Sequence, residues 1–142
     1  MNLPIVAEQL LGLIPQRAPM VMVSSLVSYG GDHLVASLLV NNDILFVEGE
    51  ELQESGLLEH MAQSVALHTG FGYFLKGEPA PTGYIGSMQQ VEIFALPNVD
   101  QEVFTEIRII QEFMGVTLVE IITKLEGEII AKAQMKTVIA DK

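Results

Sequence analysis

The longest run of mostly apolar residues lies in the middle of the chain, from Gly56 to Phe74. At about 100° of rotation per residue, its large apolar side chains are spread around most of a helix circumference. Such a helix is stable only when nearly all of its sides are covered. We therefore predict a buried helix around which the rest of the chain is organised. Its large apolar side chains are Leu57, Leu58, Met61, Val65, Leu67, Phe71 and Phe74.

One narrow stripe of this helix differs from the remainder because its side chains are small or polar. It contains Glu59, Ala62, Gln63, Ala66 and Gly70. Either another part of the protein approaches closely there, or the stripe faces a reacting molecule. A carboxylate on a buried helix must be paired, hydrogen-bonded or protonated, since burial of an isolated charge is costly. Glu59 is thus the first candidate for chemistry.

Alternating or β-branched apolar residues on both sides of the helix predict strands. Before the helix, a short helix over residues 4–12 is followed by a hairpin with its turn at residues 30–32. After it come four strands, which we expect to form a meander. One long helix with about six strands is typical of the α+β class, with a curved antiparallel sheet wrapped around the helix. The predicted strands are Met20–Tyr29, His33–Val40, Tyr84–Leu96, Glu102–Phe113, Val116–Leu125 and Ile129–Ile139.

Two segments are expected to lack regular structure. Residues 41–55 are polar and acidic around a small apolar patch, and should form a loop that leads into the central helix, with Ser55 as its N-cap. Residues 76–83 contain two prolines and two glycines, which interrupt helices and strands alike.

Composition limits the classes of function. The length predicts one domain over residues 1–142, which needs no metal or disulfide for stability. The sequence has no cysteine, which excludes thiol nucleophiles, and its net charge of −11 argues against a nucleic-acid partner. No apolar run reaches the roughly 18 to 20 residues of a membrane span, so we expect a cytoplasmic protein. The 49% hydrophobic content suggests a subunit interface.

Several segments resemble the hotdog-fold 3-hydroxyacyl-acyl-carrier-protein dehydratases. Residues 10–27, LLGLIPQRAPMVMVSSLV, are similar to their Leu-Pro-His-Arg-x-Pro motif and the apolar strand after it. Residues 59–63, EHMAQ, resemble their helix signature Glu-Ala-Met-Ala-Gln, and residues 99–110 and 127–140 resemble their penultimate and last strands. Gln63 followed by His68 looks more like the divergent dehydratase-like proteins of aryl-polyene and related polyketide clusters.

The resemblance implies a hotdog dimer that removes water from a 3-hydroxyacyl thioester, carried by acyl carrier protein or coenzyme A, in fatty-acid or polyketide-type biosynthesis. A histidine would take the proton alpha to the carbonyl, and a carboxylic acid on the other subunit's helix would assist departure of the hydroxyl. Glu59 matches the position of that acid, and Gln63 matches the supporting glutamine. The resemblance implies neither a cofactor nor a metal.

The histidine loop of the family has no counterpart here. Members carry Gly-His-Phe-Pro-Gly-His-Pro just before the helix, whereas residues 46–56 read FVEGEELQESG, and Gln16 replaces the histidine of the first motif. On an ideal helix, His60 points about 100° and His68 about 180° away from Glu59. Only a partner subunit could therefore pair either histidine with Glu59, and His33, on an outer strand, is the weakest candidate.

Other candidates concern substrate binding. Gly86 and Ser87 would let the backbone approach a thioester or its pantetheine arm, although a bulge at a dimer edge explains them as well. Arg17 is a candidate contact for a carrier phosphate, with solvated surface charge as the alternative.

Three functions remain open from the sequence. The first is a dehydratase-like enzyme that uses Glu59 together with His60 or His68 of a partner. The second is an acyl-thioester hydrolase in which Glu59 activates water. The third is a non-catalytic hotdog subunit that stabilises an active dehydratase in a heterodimer or binds an acyl chain, which the missing histidine loop favours.

Overall fold

The computed structural model describes residues 2–79 and 84–139. In this part of the chain, a long helix packs against one face of an antiparallel sheet, which confirms the predicted α+β class. The elements are β1 (Ile5–Val6), α1 (Ala7–Leu11), β2 (Ser25–Gly30), β3 (His33–Leu39), β4 (Val47–Glu48), β5 (Glu51–Leu52), α2 (Glu54–Leu75), β6 (Tyr84–Ile93), β7 (Glu102–Phe113), β8 (Val116–Leu125) and β9 (Glu128–Ile139).

The main sheet is open and has seven strands in the order β1-β2-β3-β7-β8-β9-β6. The predicted four-strand meander is wrong in one respect, because β6 does not lie beside β7. It pairs with β9 at the far end of the sheet, with Met88 opposite Met135. Only β7, β8 and β9 form a meander. Along the chain, α2 therefore lies between the strands that form the two ends of the sheet, β1 and β2 before it and β6 after it.

Helix α2 crosses the inner face of the sheet over β3, β7 and β8. Its apolar side chains form the core together with inward residues of these strands, such as Leu34, Ile107 and Ile121. As predicted, Leu57, Met61, Val65, Leu67 and Phe71 are buried, while Leu58 is half-buried and Phe74 is exposed.

Helix α2 begins before Ser55, which lies inside the helix and does not cap it. The N-cap position is held by Gln53, whose side chain donates to the carbonyls of Glu48 and Glu51 in the preceding turn. The predicted loop at residues 41–55 contains the small hairpin of β4 and β5. Residues 76–79 are irregular as predicted, and residues 80–83 lie outside the described part.

The first hairpin strand is shorter than predicted, because residues 20–24 run outside the strand. The backbone of Met22 bonds to α2 instead: its N–H donates to Gln63, and its carbonyl accepts from His60. The first helix is also shorter, since Ile5–Val6 pair with β2 as a strand. These departures bring residues 20–22 against α2, where the candidate site lies.

Candidate functional site

Glu59 and Gln63 form a hydrogen-bonded pair one turn apart on α2. The Nε2 group of Gln63 donates to Oε2 of Glu59 at 2.9 Å. Glu59 is half-buried, whereas Gln63 is fully buried. Among the described residues, Oε1 of Glu59 has no hydrogen-bond partner. The carboxyl group is therefore held through one oxygen, while the other remains available for an additional contact.

Gln63 also fixes the segment that covers this side of the helix. Its Oε1 accepts from the N–H of Met22 at 2.7 Å, and its Nε2 donates to the carbonyl of Met20 at 2.7 Å. An amide offers one acceptor and two donors in the right arrangement for these three contacts. Gln63 thus joins a backbone segment far away in sequence to the carboxyl group of Glu59.

The stripe of small and polar residues on α2 faces the N-terminal segment, residues 13–22, along much of its length. At Gly70 the backbone of Leu13 comes so close that a Cβ would collide with its carbonyl oxygen. At the other end of the stripe, Gln63 contacts Met20 and Met22. The close approach of this segment explains why the residues of the stripe are small. Glu59 lies at the end of the stripe and is only half-buried.

His60 lies in the core with 0% exposure, and both of its nitrogens are hydrogen-bonded. Nδ1 contacts the carbonyl of Met22 at 2.7 Å, and Nε2 contacts Oγ1 of Thr105 at 2.8 Å. Because a carbonyl can only accept, Nδ1 carries the proton and Nε2 accepts from the Thr105 hydroxyl. The Thr105 oxygen then accepts from Thr123 at 2.6 Å.

Burial lowers the pKa of His60 to about 4, and the bond to the Met22 carbonyl only partly opposes this effect. The imidazole is accordingly neutral at pH 7. With both nitrogens occupied, it lacks a free position for a substrate proton. In the described structure, His60 links α2 to Met22 and to the threonines of β7 and β8.

His68 differs from His60 because it borders an open groove of about 690 Å³. The groove lies between the second half of α2, the end of β2 and the β7–β8 hairpin. His68 is half-buried, and its ring stacks on Tyr29 with a centroid distance of 5.2 Å. Other residues that border the groove include Gly72, Lys76, Glu112, Phe113 and Met114.

The backbone selects one tautomer of His68. Its Nε2 lies 3.1 Å from the carbonyl of Gly31, so Nε2 carries the proton. Nδ1 has no hydrogen-bond partner among the described residues and keeps a free lone pair. Burial lowers the pKa of His68, with a small further lowering from His33, against opposing contributions from the backbone of Gly31 and Gly30 and the charge of Glu112. This is the arrangement of a neutral base.

The structure brings together Glu59 and Gln63, with His60 beside them, but it does not bring His68 to Glu59 within one chain. The two residues point to opposite sides of α2, as the 180° estimate predicts, and are about 13 Å apart along the helix axis. His33 lies at the start of β3, where Nδ1 is 3.6 Å from the exposed carboxylate of Asp32.

The remaining predicted residues lie away from Glu59. Gly86 and Ser87 are neighbours on the end strand β6, so they point to opposite faces of the sheet. A Cβ at Gly86 would meet the terminal methyl group of Met135 on β9, which is the far end of a flexible side chain. Arg17 is exposed, and its Nη1 donates to the carbonyls of Ile14 and Gln16.

Sequence reasoning missed Tyr29 as a neighbour of His68. The sequence indicates a strand that ends near Tyr29 but carries no signal that its ring meets the far half of α2. The structure places the ring between His68 and Phe71, with an edge-to-face contact to Phe71 at 4.9 Å. Burial raises the pKa of Tyr29, so that its hydroxyl is protonated at neutral pH.

Within residues 2–79 and 84–139, no group of three histidine, aspartate or glutamate side chains is arranged to hold a metal ion. In the same part of the chain, no helix is both long and apolar enough to cross a membrane.

Comparison with known proteins decides the family. A family model described as ApeP-like, ApeP dehydratase, matches residues 8–142. The chain belongs to the ApeP-like dehydratase family. A search of curated proteins found no match. Family membership indicates a dehydratase-like protein.

Solved structures confirm the hotdog fold. The dehydratase heterocomplex ApeI:P from Xenorhabdus doucetiae has a chain that matches with a TM-score of 0.86 at 16% identity, over 100% of this chain and 94% of that one. An HP0420 homologue from Helicobacter felis matches with a TM-score of 0.71 at 12% identity, over 97% and 94%. A hypothetical thioesterase with coenzyme A from Streptococcus pneumoniae matches with a TM-score of 0.62 at 12% identity, over 82% and 85%.

Proposed function

We propose that this protein removes water from 3-hydroxyacyl thioesters carried by acyl carrier protein or coenzyme A, in fatty-acid or polyketide-type biosynthesis. The main support for this proposal is the position of the Glu59 carboxyl group. Its carboxyl group lies on the central helix at the edge of burial, and the amide of Gln63 holds one oxygen at 2.9 Å. The other oxygen can reach a substrate hydroxyl.

In the proposed reaction, a base takes the proton from the α-carbon and the C–H electron pair forms the new double bond. The C–O bond at the β-carbon breaks, and protonated Glu59 gives its proton to the departing hydroxyl to form water. The base then returns its proton to the medium, and Glu59 takes one up. The reaction needs no oxidant or reductant.

We propose His68 of a partner subunit as the base. Its support is the free Nδ1 and the lowered pKa, which keep a lone pair available at neutral pH, whereas both nitrogens of His60 are occupied. In a dimer with twofold symmetry, two copies would meet through their β6 edges. The two β6 strands would then pair in antiparallel orientation. The second helix would then run in the opposite direction, with its Glu59 end beside the His68 end of the first.

The surface of α2 supports this assembly. Leu58, Ala62, Thr69 and Tyr73 lie on one side of the helix and are only half-buried, whereas most other sides are covered. The strand β6 at the end of the sheet also offers backbone groups for pairing with another chain. A second hotdog chain would cover both surfaces.

The test is an assay of the purified chain with 3-hydroxybutyryl and longer 3-hydroxyacyl thioesters of coenzyme A and acyl carrier protein. We expect enoyl thioester to form, and Glu59→Gln to reduce the rate about 10³-fold while the circular-dichroism spectrum is unchanged. Release of free thiol, lost in Glu59→Ala, would instead establish thioester hydrolysis. Formation of neither product would contradict an independently active enzyme.

A second function is a partner subunit in a heterodimer. It is favoured by a solved structure that matches this chain over its full length and is described as a dehydratase heterocomplex. The region before α2 also lacks histidine, since residues 46–56 read FVEGEELQESG. Co-expression with a second hotdog chain that carries an intact Gly-His-x-Pro loop tests this role. Activity of the complex that survives Glu59→Gln and His68→Asn in this chain would establish it.

A further inference from the structure

The groove beside His68 contains a second polar group, the hydroxyl of Tyr29. Tyr29 lies on β2 with its ring over the His68 imidazole. Its hydroxyl oxygen reaches Gly72 on α2, where an added Cβ would lie 3.2 Å from it. No described residue forms a hydrogen bond with this hydroxyl. The structure therefore holds an unpaired donor at the groove wall, directly beside a base.

We propose that the Tyr29 hydroxyl binds the carbonyl oxygen of the substrate thioester in this groove. This inference rests on the proposed function and assigns the substrate's carbonyl end to the side of the site formed by His68. Removal of the α-proton moves negative charge onto the carbonyl oxygen, and a fixed O–H donor stabilises that charge. As an ordinary phenol, the donor is protonated at neutral pH.

The relative positions of the two groups fit this chemistry. In a thioester, the α-carbon is bonded directly to the carbonyl carbon, so the base and the oxygen-binding donor must lie side by side. Tyr29 and His68 meet this condition because their rings stack with an interplanar angle of 29°. The edge-to-face contact with Phe71 fixes the phenol ring from its other side.

The surrounding groove provides an apolar wall and a cationic end. Phe113 and Met114, at the tip of the β7–β8 hairpin, are 68% and 85% exposed and border the groove. They offer apolar contacts for the acyl or pantetheine chain. Lys76, whose Nζ lies 5.2 Å from the centre of the Tyr73 ring, is a cation at the same groove.

Glycine at position 72 fits the same proposal. A methyl group there would press on the Tyr29 oxygen, because 3.2 Å is closer than an ordinary van der Waals contact. Glycine costs about 1 kcal/mol relative to alanine inside a helix, and the close neighbour at this position offsets part of that disadvantage. The close neighbour at Gly72 is the hydroxyl that we assign to substrate binding.

The test compares Tyr29→Phe, Gly72→Ala and the double variant in the full chain. Tyr29→Phe keeps the ring contacts and removes only the hydroxyl, so it should remain folded. We expect kcat/KM for dehydration to fall about 10²-fold, mainly through kcat, which is the usual effect of losing one oxyanion donor. Gly72→Ala should lower kcat/KM in the wild-type background and have no further effect beside Tyr29→Phe.

Binding of the product crotonyl-coenzyme A, followed by saturation-transfer NMR, separates this inference from the proposed reaction. If the wild type forms no enoyl thioester but binds crotonyl-coenzyme A more weakly after Tyr29→Phe, the Tyr29 site stands and the dehydratase proposal fails. If the wild type is active and Tyr29→Phe retains its kcat/KM and its affinity, the dehydratase proposal stands and the Tyr29 inference is overturned. Unchanged affinity in an inactive protein overturns both.

Discussion

At the scale of single residues, the two histidines of α2 have opposite surroundings although only eight positions separate them. His60 has both nitrogens bonded inside the core, while His68 has one nitrogen free at a groove. The sequence could not distinguish them, because the partners of His60 are 38 and 45 positions away along the chain. Their roles depend on contacts that helical periodicity does not encode.

The buried state of His60 predicts how stability depends on pH. Its folded-state pKa of about 4 lies below the ordinary value of 6.5, so the unfolded chain binds the proton first as pH falls. The free energy of unfolding should therefore decrease between pH 6.5 and 4. The expected loss from this residue is about 3 kcal/mol, from the cost per unit of pKa shift.

Urea unfolding of the wild type and His60→Leu at pH 7 and pH 4 measures this contribution. His60→Leu should be less stable at pH 7, because it leaves the Met22 carbonyl unpaired and removes the acceptor of the Thr105 hydroxyl, but its stability should fall less on acidification. Equal losses in the two proteins would show that His60 does not titrate as described.

Gln63 gives a second prediction at this scale. Gln63→Leu should lower the free energy of unfolding by about 3 kcal/mol, because it leaves the buried N–H of Met22 unpaired and removes three hydrogen bonds. Gln89→Leu is the control, since this half-buried amide bonds to Gln134 alone, at 3.2 Å, and should cost less than about 1 kcal/mol. Similar urea midpoints for the two variants would contradict the role of Gln63 as the link to residues 20–22.

At the scale of elements, the sequence predicted the type of nearly every long segment. The strands Glu102–Phe113 and Val116–Leu125 have the predicted limits, because alternation and the turns beside them are local signals. The position of β6 was missed, since periodicity identifies a strand without naming its neighbours. The lengths of the connections do indicate the strand order. Short turns join β7, β8 and β9 as neighbours, whereas the longer segment of residues 94–101 separates β6 from β7.

The packing of α2 against the N-terminal segment predicts different effects for two glycines of the helix. Gly70→Ala should lower the free energy of unfolding by about 2 kcal/mol, because its new methyl group would collide with the backbone of Leu13, which cannot rotate away. Gly72→Ala is the matched control, because it meets only a side-chain hydroxyl and gains helix propensity. Chemical denaturation measures both, and equal stabilities would contradict close packing at Gly70.

At the scale of the whole molecule, Glu59 and His68, the proposed acid and base, lie apart within one chain. Glu59 lies in the first half of α2 beside residues 20–22, whereas His68 lies in the second half and borders a groove formed with the end of β2 and the β7–β8 hairpin. The stripe of small residues correctly indicated that another part of the chain approaches α2 closely, as Leu13 does at Gly70. The sequence could not show that the N-terminal segment covers most of the stripe, because that contact is long-range. Completion of the proposed site depends on a second hotdog chain.

A mixture of two inactive variants tests the central claim most directly. Glu59→Gln retains His68, and His68→Asn retains Glu59. If the two groups act across a dimer interface, each mixed dimer contains one intact site and one doubly altered site. After unfolding and refolding together in equal amounts, the mixture should recover about a quarter of the wild-type dehydration rate, since about half of the dimers are mixed. A rate no higher than that of either variant alone, beside an active wild type refolded in the same way, would contradict a site shared by two chains.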